Sequence, residues 1–187
     1  NVFQIIKKFK KVKKNKPIIL MGYYNLIYQL GEDKFLNSCK SVGVDGLIVV
    51  DLPWPENKKF SIKCKKKFIN FIQLLSPTTT LERMKKIIKD SHDMIYYISM
   101  LSTTGEKLKI SPKKIMKEYQ KIKKLIPQKY IVIGFGITDK TIFKLKKADG
   151  LVVGSQLCKA ITNSIKKGQN PVTILDKIVY NLKKEII

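Results

Sequence analysis

Arginine, histidine, cysteine and tryptophan are scarce in this 187-residue sequence, and each shortage excludes something. Of its 38 basic residues, Arg83 is the only arginine. A surface selected to read bases or grip a phosphate backbone would be expected to use arginine's two-pronged guanidinium. The net charge of +24 therefore reads as lysine-rich solvent faces, as in Lys7-Lys8 and Lys65-Lys66-Lys67, and no nucleic acid is expected as a partner. The charge can still draw in an anionic substrate at long range. The three cysteines, Cys39, Cys64 and Cys158, lie far apart, form no CxxC pair and do not accompany the lone His92. Neither a disulfide framework nor a metal site is expected, and a reducing cytoplasm is the natural location. His92 reads as a solvated loop residue.

Long apolar runs are also lacking. None approaches the roughly 18–20 residues that a membrane-spanning helix requires, and the opening Asn1-Val2-Phe3-Gln4 has no secretory-signal pattern. The sequence does not begin with Met and opens as though inside a helix, so it is expected to be a fragment or a trimmed chain.

What is present is a regular alternation. Short apolar runs that end in Gly, Asp or Ser, or are followed at once by one of them, occur at 17–22, 46–51, 68–75, 94–99, 130–134 and 150–153. Near-continuous runs of this kind predict parallel strands buried on both faces. Helical periodicity fills 33–42, 55–67, 80–89, 111–125 and 138–147, and a C-terminal pair follows at 156–166 and 171–185. Thr80 and Ser111 are set to cap two of these helices, Ser111 with Pro112 at the first helical position. Six strands separated by helices predict a parallel α/β protein with right-handed crossovers. An open doubly wound sheet fits the length; a (β/α)8 barrel normally takes about 250 residues and would have to lack two units.

The loops decide between them. Gly134-Phe135-Gly136-Ile137-Thr138 follows one strand and leads into a helix, and Gly154-Ser155 does the same one unit later. Glycine lets the backbone approach a ligand closely, and a helix start favours an anion. Paired glycine turns after consecutive late strands are how many barrels hold a phosphate. No GxGxxG pattern supports a dinucleotide fold. The loop Ser99-Met100-Leu101-Ser102-Thr103-Thr104-Gly105 has the hydroxyls and glycine of a segment that closes over a phosphate ester.

Three stretches resemble the alpha subunit family of tryptophan synthase. They are Met21-Gly22-Tyr23-Tyr24-Asn25-Leu26-Ile27-Tyr28, Gly43-Val44-Asp45-Gly46-Leu47-Ile48-Val49-Val50-Asp51-Leu52-Pro53, and Leu74-Leu75-Ser76-Pro77-Thr78-Thr79-Thr80 with Tyr96-Tyr97-Ile98-Ser99 beyond it. The glycine turns then follow in the family's order. The resemblance implies a single (β/α)8 barrel domain over residues 1–187 with roughly its first two β/α units absent. It also implies retro-aldol cleavage of indole-3-glycerol phosphate to indole and glyceraldehyde 3-phosphate in tryptophan biosynthesis. Indole would pass to a beta subunit in an alpha2-beta2 tetramer, and the pyridoxal phosphate belongs to that partner. The alpha chain itself uses no cofactor.

Carried over residue by residue, the resemblance makes Tyr96 the active-site tyrosine beside the indole. Thr104 and Gly105 fall on the closing loop, and Gly134, Phe135, Gly136, Gly154 and Ser155 on the phosphate pocket. Met21 and Tyr23 match residues flanking the indole, with core packing as the alternative. Asp51, at the end of its strand, matches a residue at the pocket edge, expected to contact or orient substrate; a strand-end cap is the alternative. Asn25 and Pro53 match the face that docks on the beta subunit. Asp45 reads as a turn residue. The family's catalytic Glu and Asp have no counterpart motif here, which puts the activity of the chain alone in question. Three other readings compete: a shortened binding partner for the beta subunit, another phosphate-binding barrel of the same pathway, and a nucleic-acid module on charge alone.

Overall fold

The structure is a computed structural model that describes residues 1–99, 111–134, 137 and 139–186. In chain order its elements are α1 (Val2–Val12), β1 (Ile19–Gly22), α2 (Tyr24–Leu30), α3 (Glu32–Val42), β2 (Gly46–Val49), α4 (Lys58–Lys66), β3 (Asn70–Phe71) and β4 (Gln73–Leu75). They continue with α5 (Leu81–Asp90), β5 (Met94–Ile98), α6 (Pro112–Leu125), β6 (Tyr130–Gly134), α7 (Asp139–Ile142), a 3-10 turn at Phe143–Leu145, β7 (Gly150–Val152), α8 (Ser155–Lys166) and α9 (Pro171–Lys184). The strands order as β1-β2-β3 in one sheet and β4-β5-β6-β7 in another. Pairing is parallel between β1 and β2, β2 and β3, and β6 and β7.

The chain divides into two compact units, residues 1–74 with 80–95, and residues 75–79 with 96–187. In the first, the apolar stripes of α1, α3 and α4 close over β2, whose four residues are all buried. Ile6, Leu36, Cys39, Leu47, Val49, Phe60, Cys64 and Phe71 make up much of that core. Phe60 stands edge-on to both Tyr24 and Phe71, with ring centroids 5.9 and 5.8 Å apart. In the second unit, Tyr97, Ile122, Ile131, Ile133 and Ile142 are fully buried.

Local signals explain most boundaries. Thr80 Oγ1 accepts from the Arg83 N–H at the start of α5, and Ser111 Oγ accepts from Lys114 N–H at the start of α6. Gly43 ends α3 in the left-handed region, φ 83°, where a side chain would be strained. Asp45 is a turn residue, as the sequence indicates: its Oδ2 accepts from Ile18 N–H at 2.7 Å and from Lys10 at 2.8 Å.

Four sequence expectations are corrected. The run 68–75 is not one strand: Phe68 is a left-handed turn residue, φ 59°, and the rest forms β3 and β4. The pieces bond to different neighbours, β3 to β2 and β4 to β5, which is why pairing changes near Ile72. The helix expected at 55–67 starts only at Lys58, after a turn around Pro55. The helix expected at 138–147 is a four-residue α7 followed by a 3-10 turn. Strand β2 ends at Val49, so Asp51 lies in the turn beyond it rather than at the strand end.

Candidate active site

In the second unit the site begins with register. Strands β6 and β7 run parallel, with Ile133 opposite Leu151 and Gly134 opposite Val152. The chain therefore leaves both strands at the same end of the sheet. After β7 it turns at Gly154 directly into α8, a 12-residue helix whose first residue, Ser155, is exposed. Gly154 offers no side-chain cap, no acid sits in the first turn, and the Cys158 N–H bonds back to the Gly154 carbonyl at 3.1 Å. The positive end of the helix dipole faces out here, an arrangement suited to an anion.

Beside β6, strand β5 delivers Tyr96, only 5% exposed. Its hydroxyl lies against the α-carbon of Gly134. A Cβ on Gly134 would overlap the phenol oxygen and Cζ, and would lie 2.7 Å from Cε1. Glycine is therefore required at this position by close approach, not by its backbone angles. Burial pushes the Tyr96 phenol above its ordinary value of 10, so at neutral pH it is a protonated group that can donate but not abstract a proton. Just past β5, the fully buried Ser99 gives both its N–H, at 3.0 Å, and its Oγ–H, at 2.8 Å, to the Gly134 carbonyl.

The first unit holds the other assigned residues. Met21 is 53% and Tyr23 60% exposed, so neither side chain is buried in the core of the first unit. The β1–β2 register pairs Gly22 with Val49, and Val50 N–H continues the ladder to the Gly22 carbonyl. This brings Asp51 to the start of α2, where its Oδ1 accepts from the Tyr24 N–H at 2.7 Å. Tyr23 itself provides no cap. Asp51 thus caps a helix from 27 residues away. Asn25 and Pro53 are exposed, and so are Leu26 and Tyr28 of α2, at 64% and 71%. Thr104, Gly105, Phe135 and Gly136 lie outside the described residues.

Sequence reasoning missed several groups. His92 is not a solvated loop residue: it is half-buried, its Nδ1 accepts from the Phe71 N–H at 3.0 Å, and its Nε2 lies 3.0 Å from Ser61 Oγ. Asn57 and Gln73, both nearly fully buried, bond reciprocally through their side-chain amides at 2.8 and 3.3 Å. Trp54 donates to Asp90 at 2.7 Å, and this bond, more than the neighbouring Lys58, holds the Asp90 carboxyl below its usual range. These contacts join residues 16 to 36 apart, and no spacing rule announces them.

Among the described residues no cluster of His, Cys, Asp and Glu could hold a metal ion, and no helix is long and apolar enough to cross a membrane.

Comparison with known proteins agrees with the motif reading. A family model described as tryptophan synthase alpha chain matches residues 1–186. A tryptophan synthase alpha chain of Pelagibacter ubique (strain HTCC1062) is 72% identical over 186 residues, which cover 100% of this chain and 70% of that one. Among solved structures, a tryptophan synthase subunit alpha from Legionella pneumophila matches with a TM-score of 0.87 at 29% identity, over 99% of this chain and 68% of its own. A tryptophan synthase complex from Pyrococcus furiosus matches with a TM-score of 0.81 at 34% identity, over 98% of this chain and 72% of that one. These neighbours agree with the barrel to which the glycine loops pointed: the architecture is that of a partial (β/α)8 barrel.

Proposed function

The chain belongs to the tryptophan synthase alpha chain family, and from that premise we propose that Gly136, Gly154 and Ser155 hold the phosphate of indole-3-glycerol phosphate, with Gly134 and Phe135 lining the pocket and Tyr96 beside the reacting indole. The family's reaction is a lyase step, cleavage of this ester to indole and glyceraldehyde 3-phosphate in tryptophan biosynthesis. One observation supports the assignment: the register of β6 and β7 sets Gly134 opposite Val152, so both strands end on one side of the sheet, and β7 leads through Gly154 straight into α8. The helix start can stabilise the dianion by its dipole and by the Ser155 hydroxyl. The reaction needs a proton delivered to the indole ring carbon and one taken from the glycerol hydroxyl. Tyr96, held protonated by burial, can orient substrate by donating a hydrogen bond.

Phe135, Gly136, Thr104 and Gly105 belong to the same proposed phosphate site on the strength of the family resemblance. On the same ground Met21, Tyr23 and Asp51 are proposed to contact substrate. Asp51 is the one acid in the assigned set, and with its carboxylate committed to the Tyr24 N–H it is an orienting group rather than the proton carrier. Asn25 and Pro53, both exposed, are proposed to dock on a beta subunit in an alpha2-beta2 assembly. That partner carries the pyridoxal phosphate, and the proposed location is the cytoplasm. No cofactor is proposed for this chain.

The test is titration of the chain with sn-glycerol 3-phosphate, followed by calorimetry, for the wild type and Ser155→Glu. A negative side chain at the helix start should weaken binding at least about tenfold, the equivalent of ~1.4 kcal/mol. Equal affinity in the two proteins would sink the phosphate assignment.

A further inference from the structure

The two residues proposed to dock on a beta subunit come from separate segments, Asn25 from α2 and Pro53 from the turn beyond β2. Between these segments the β1–β2 ladder ends with the Val50 N–H on the Gly22 carbonyl at 3.1 Å. One step further, Asp51 Oδ1 accepts from the Tyr24 N–H at 2.7 Å. Asn25 follows Tyr24, and Pro53 stands two residues after Asp51, so this bond ties the two segments where the ladder has stopped. Helix α2 depends on it, because the helix has only seven residues and Tyr23, ahead of it, provides no side-chain cap. Tyr24 is held through its side chain as well: its hydroxyl donates to Glu32 at 2.8 Å, and its ring stands edge-on to Phe60. Ile27 is buried, and Asn25, Leu26 and Tyr28 are left exposed. On the far side of Pro53, Asn57 donates to the Leu52 carbonyl at 3.2 Å and Arg83 to the Trp54 carbonyl.

We propose that Asp51 is a positioning residue for partner docking, setting Asn25 and Pro53 in one fixed arrangement by capping α2 from the turn beyond β2. The proposal rests on the reading of Asn25 and Pro53 as docking residues. A docking face ordered in advance spares the partner the cost of ordering it on binding. Residue 51 has to offer an acceptor to the first N–H of α2, one of the donors that a helix start leaves without an internal partner. Asparagine has such an oxygen, as aspartate does, and alanine has none. A direct contact made by the carboxylate's charge would be lost in both variants, so the two roles separate by measurement.

The experiment titrates the wild-type chain, Asp51→Ala, Asp51→Asn and Asp45→Ala with the tryptophan synthase beta subunit of Pelagibacter ubique, whose alpha chain is 72% identical to this one. It reads the dissociation constant of each protein well below its thermal midpoint, and the midpoint itself. Asp51→Ala should bind about fivefold more weakly, the scale of one lost helix cap. Asp51→Asn should stay within about twofold of wild type, since asparagine caps as well as aspartate. Asp45→Ala is the control for stability, because Asp45 ties the Ile18 N–H and Lys10 in the same unit. Its midpoint should fall, while its affinity stays within about twofold of wild type, as for a substitution away from the docking face. Wild-type affinity in Asp51→Ala overturns this proposal alone. Equal weakening by Ala and Asn at position 51 also overturns it, because the carboxylate would then touch the partner directly. Equal weakening in Asp45→Ala does the same, because the loss would follow general stability. If the wild type does not bind, or binds no better than Asn25→Ala and Pro53→Ala, the docking reading falls and this proposal with it.

Discussion

At the scale of single residues, the informative positions are those where one atom more or less has a definite consequence. Gly134 is the clearest. An added methyl would meet the Tyr96 phenol at overlapping distance, and Tyr96, 5% exposed, has little room to retreat. Gly134→Ala should therefore cost about 1–3 kcal/mol of stability through overpacking. It should also weaken glycerol 3-phosphate binding, because the strain falls at the turn itself. A variant with wild-type melting behaviour would show that the ring moves freely. The sequence made Gly134 and Tyr96 legible as separate candidates, through strand ends and glycine turns; that they touch was not legible, since the contact spans two strands. His92 shows the opposite case, a residue read as solvated that bonds to the backbone. Phe71, whose N–H it accepts, is 1% exposed. His92→Ala should cost about 1–3 kcal/mol by leaving that donor without its partner, checked by denaturant unfolding. A change under about 0.3 kcal/mol, within the range of an ordinary surface substitution, would mean that water replaces the ring.

At the scale of elements, what sequence revealed was whatever is encoded locally. Helices α5 and α6 begin where Thr80 and Ser111 cap them, β6 is the apolar run expected, and β2 is the first four residues of its run. What stayed hidden depends on distant partners. Helix α2 has no cap of its own; Asp51 supplies one because the β1–β2 register brings it there. The run 68–75 divides because its halves bond to different strands, which no periodicity records. One device recurs in both units. Asp45 bonds Ile18 N–H and Lys10, and Asp149 bonds Ile131 N–H at 2.8 Å and Lys123 at 2.9 Å. Each is an aspartate before a glycine that opens a strand, tying that strand to the start of another. The end of α4 holds an element-level cost. Phe68 takes the left-handed position after the helix, φ 59°, with 86% of its surface exposed. A non-glycine residue there costs roughly 1–2 kcal/mol, and little apolar burial offsets it. Phe68→Gly should raise stability by roughly 0.5–1 kcal/mol, less than the full strain because glycine adds freedom to the unfolded chain. Loss of stability would show that the contact of Lys40 with the Phe68 ring, at 5.4 Å, is the larger effect.

At the scale of the whole molecule, 38 basic residues face 14 acidic ones, and the fold must hold against its own charge. Such repulsion weakens in salt, because exposed charges are screened beyond about 8–10 Å near physiological ionic strength. Alkali relieves it as well by discharging lysines, yet alkali should still unfold this protein, for a separate reason. Cys39 and Cys64 are completely buried, and burial pushes both thiols from 9.0 up to about 12, with Cys39 adding to the effect on Cys64. Burial, with Glu118 adding to it, also pushes Tyr97 from 10.0 to about 12. Below pH 9 these groups are neutral whether the chain is folded or not, so their contribution to stability is complete. Between about pH 9 and 12 the unfolded chain releases protons that the folded chain keeps, and each such proton removes about 1.4 kcal/mol per pH unit. Measured in high salt, where lysine repulsion is already screened, stability should decline steadily from pH 9 upward. The double variant Cys39→Ala, Cys64→Ala should flatten the slope, leaving the tyrosine part. A profile level from pH 9 to 10.5 in the wild type would mean that water reaches the thiols, and that the core around α3 and α4 is looser than its zero exposure implies.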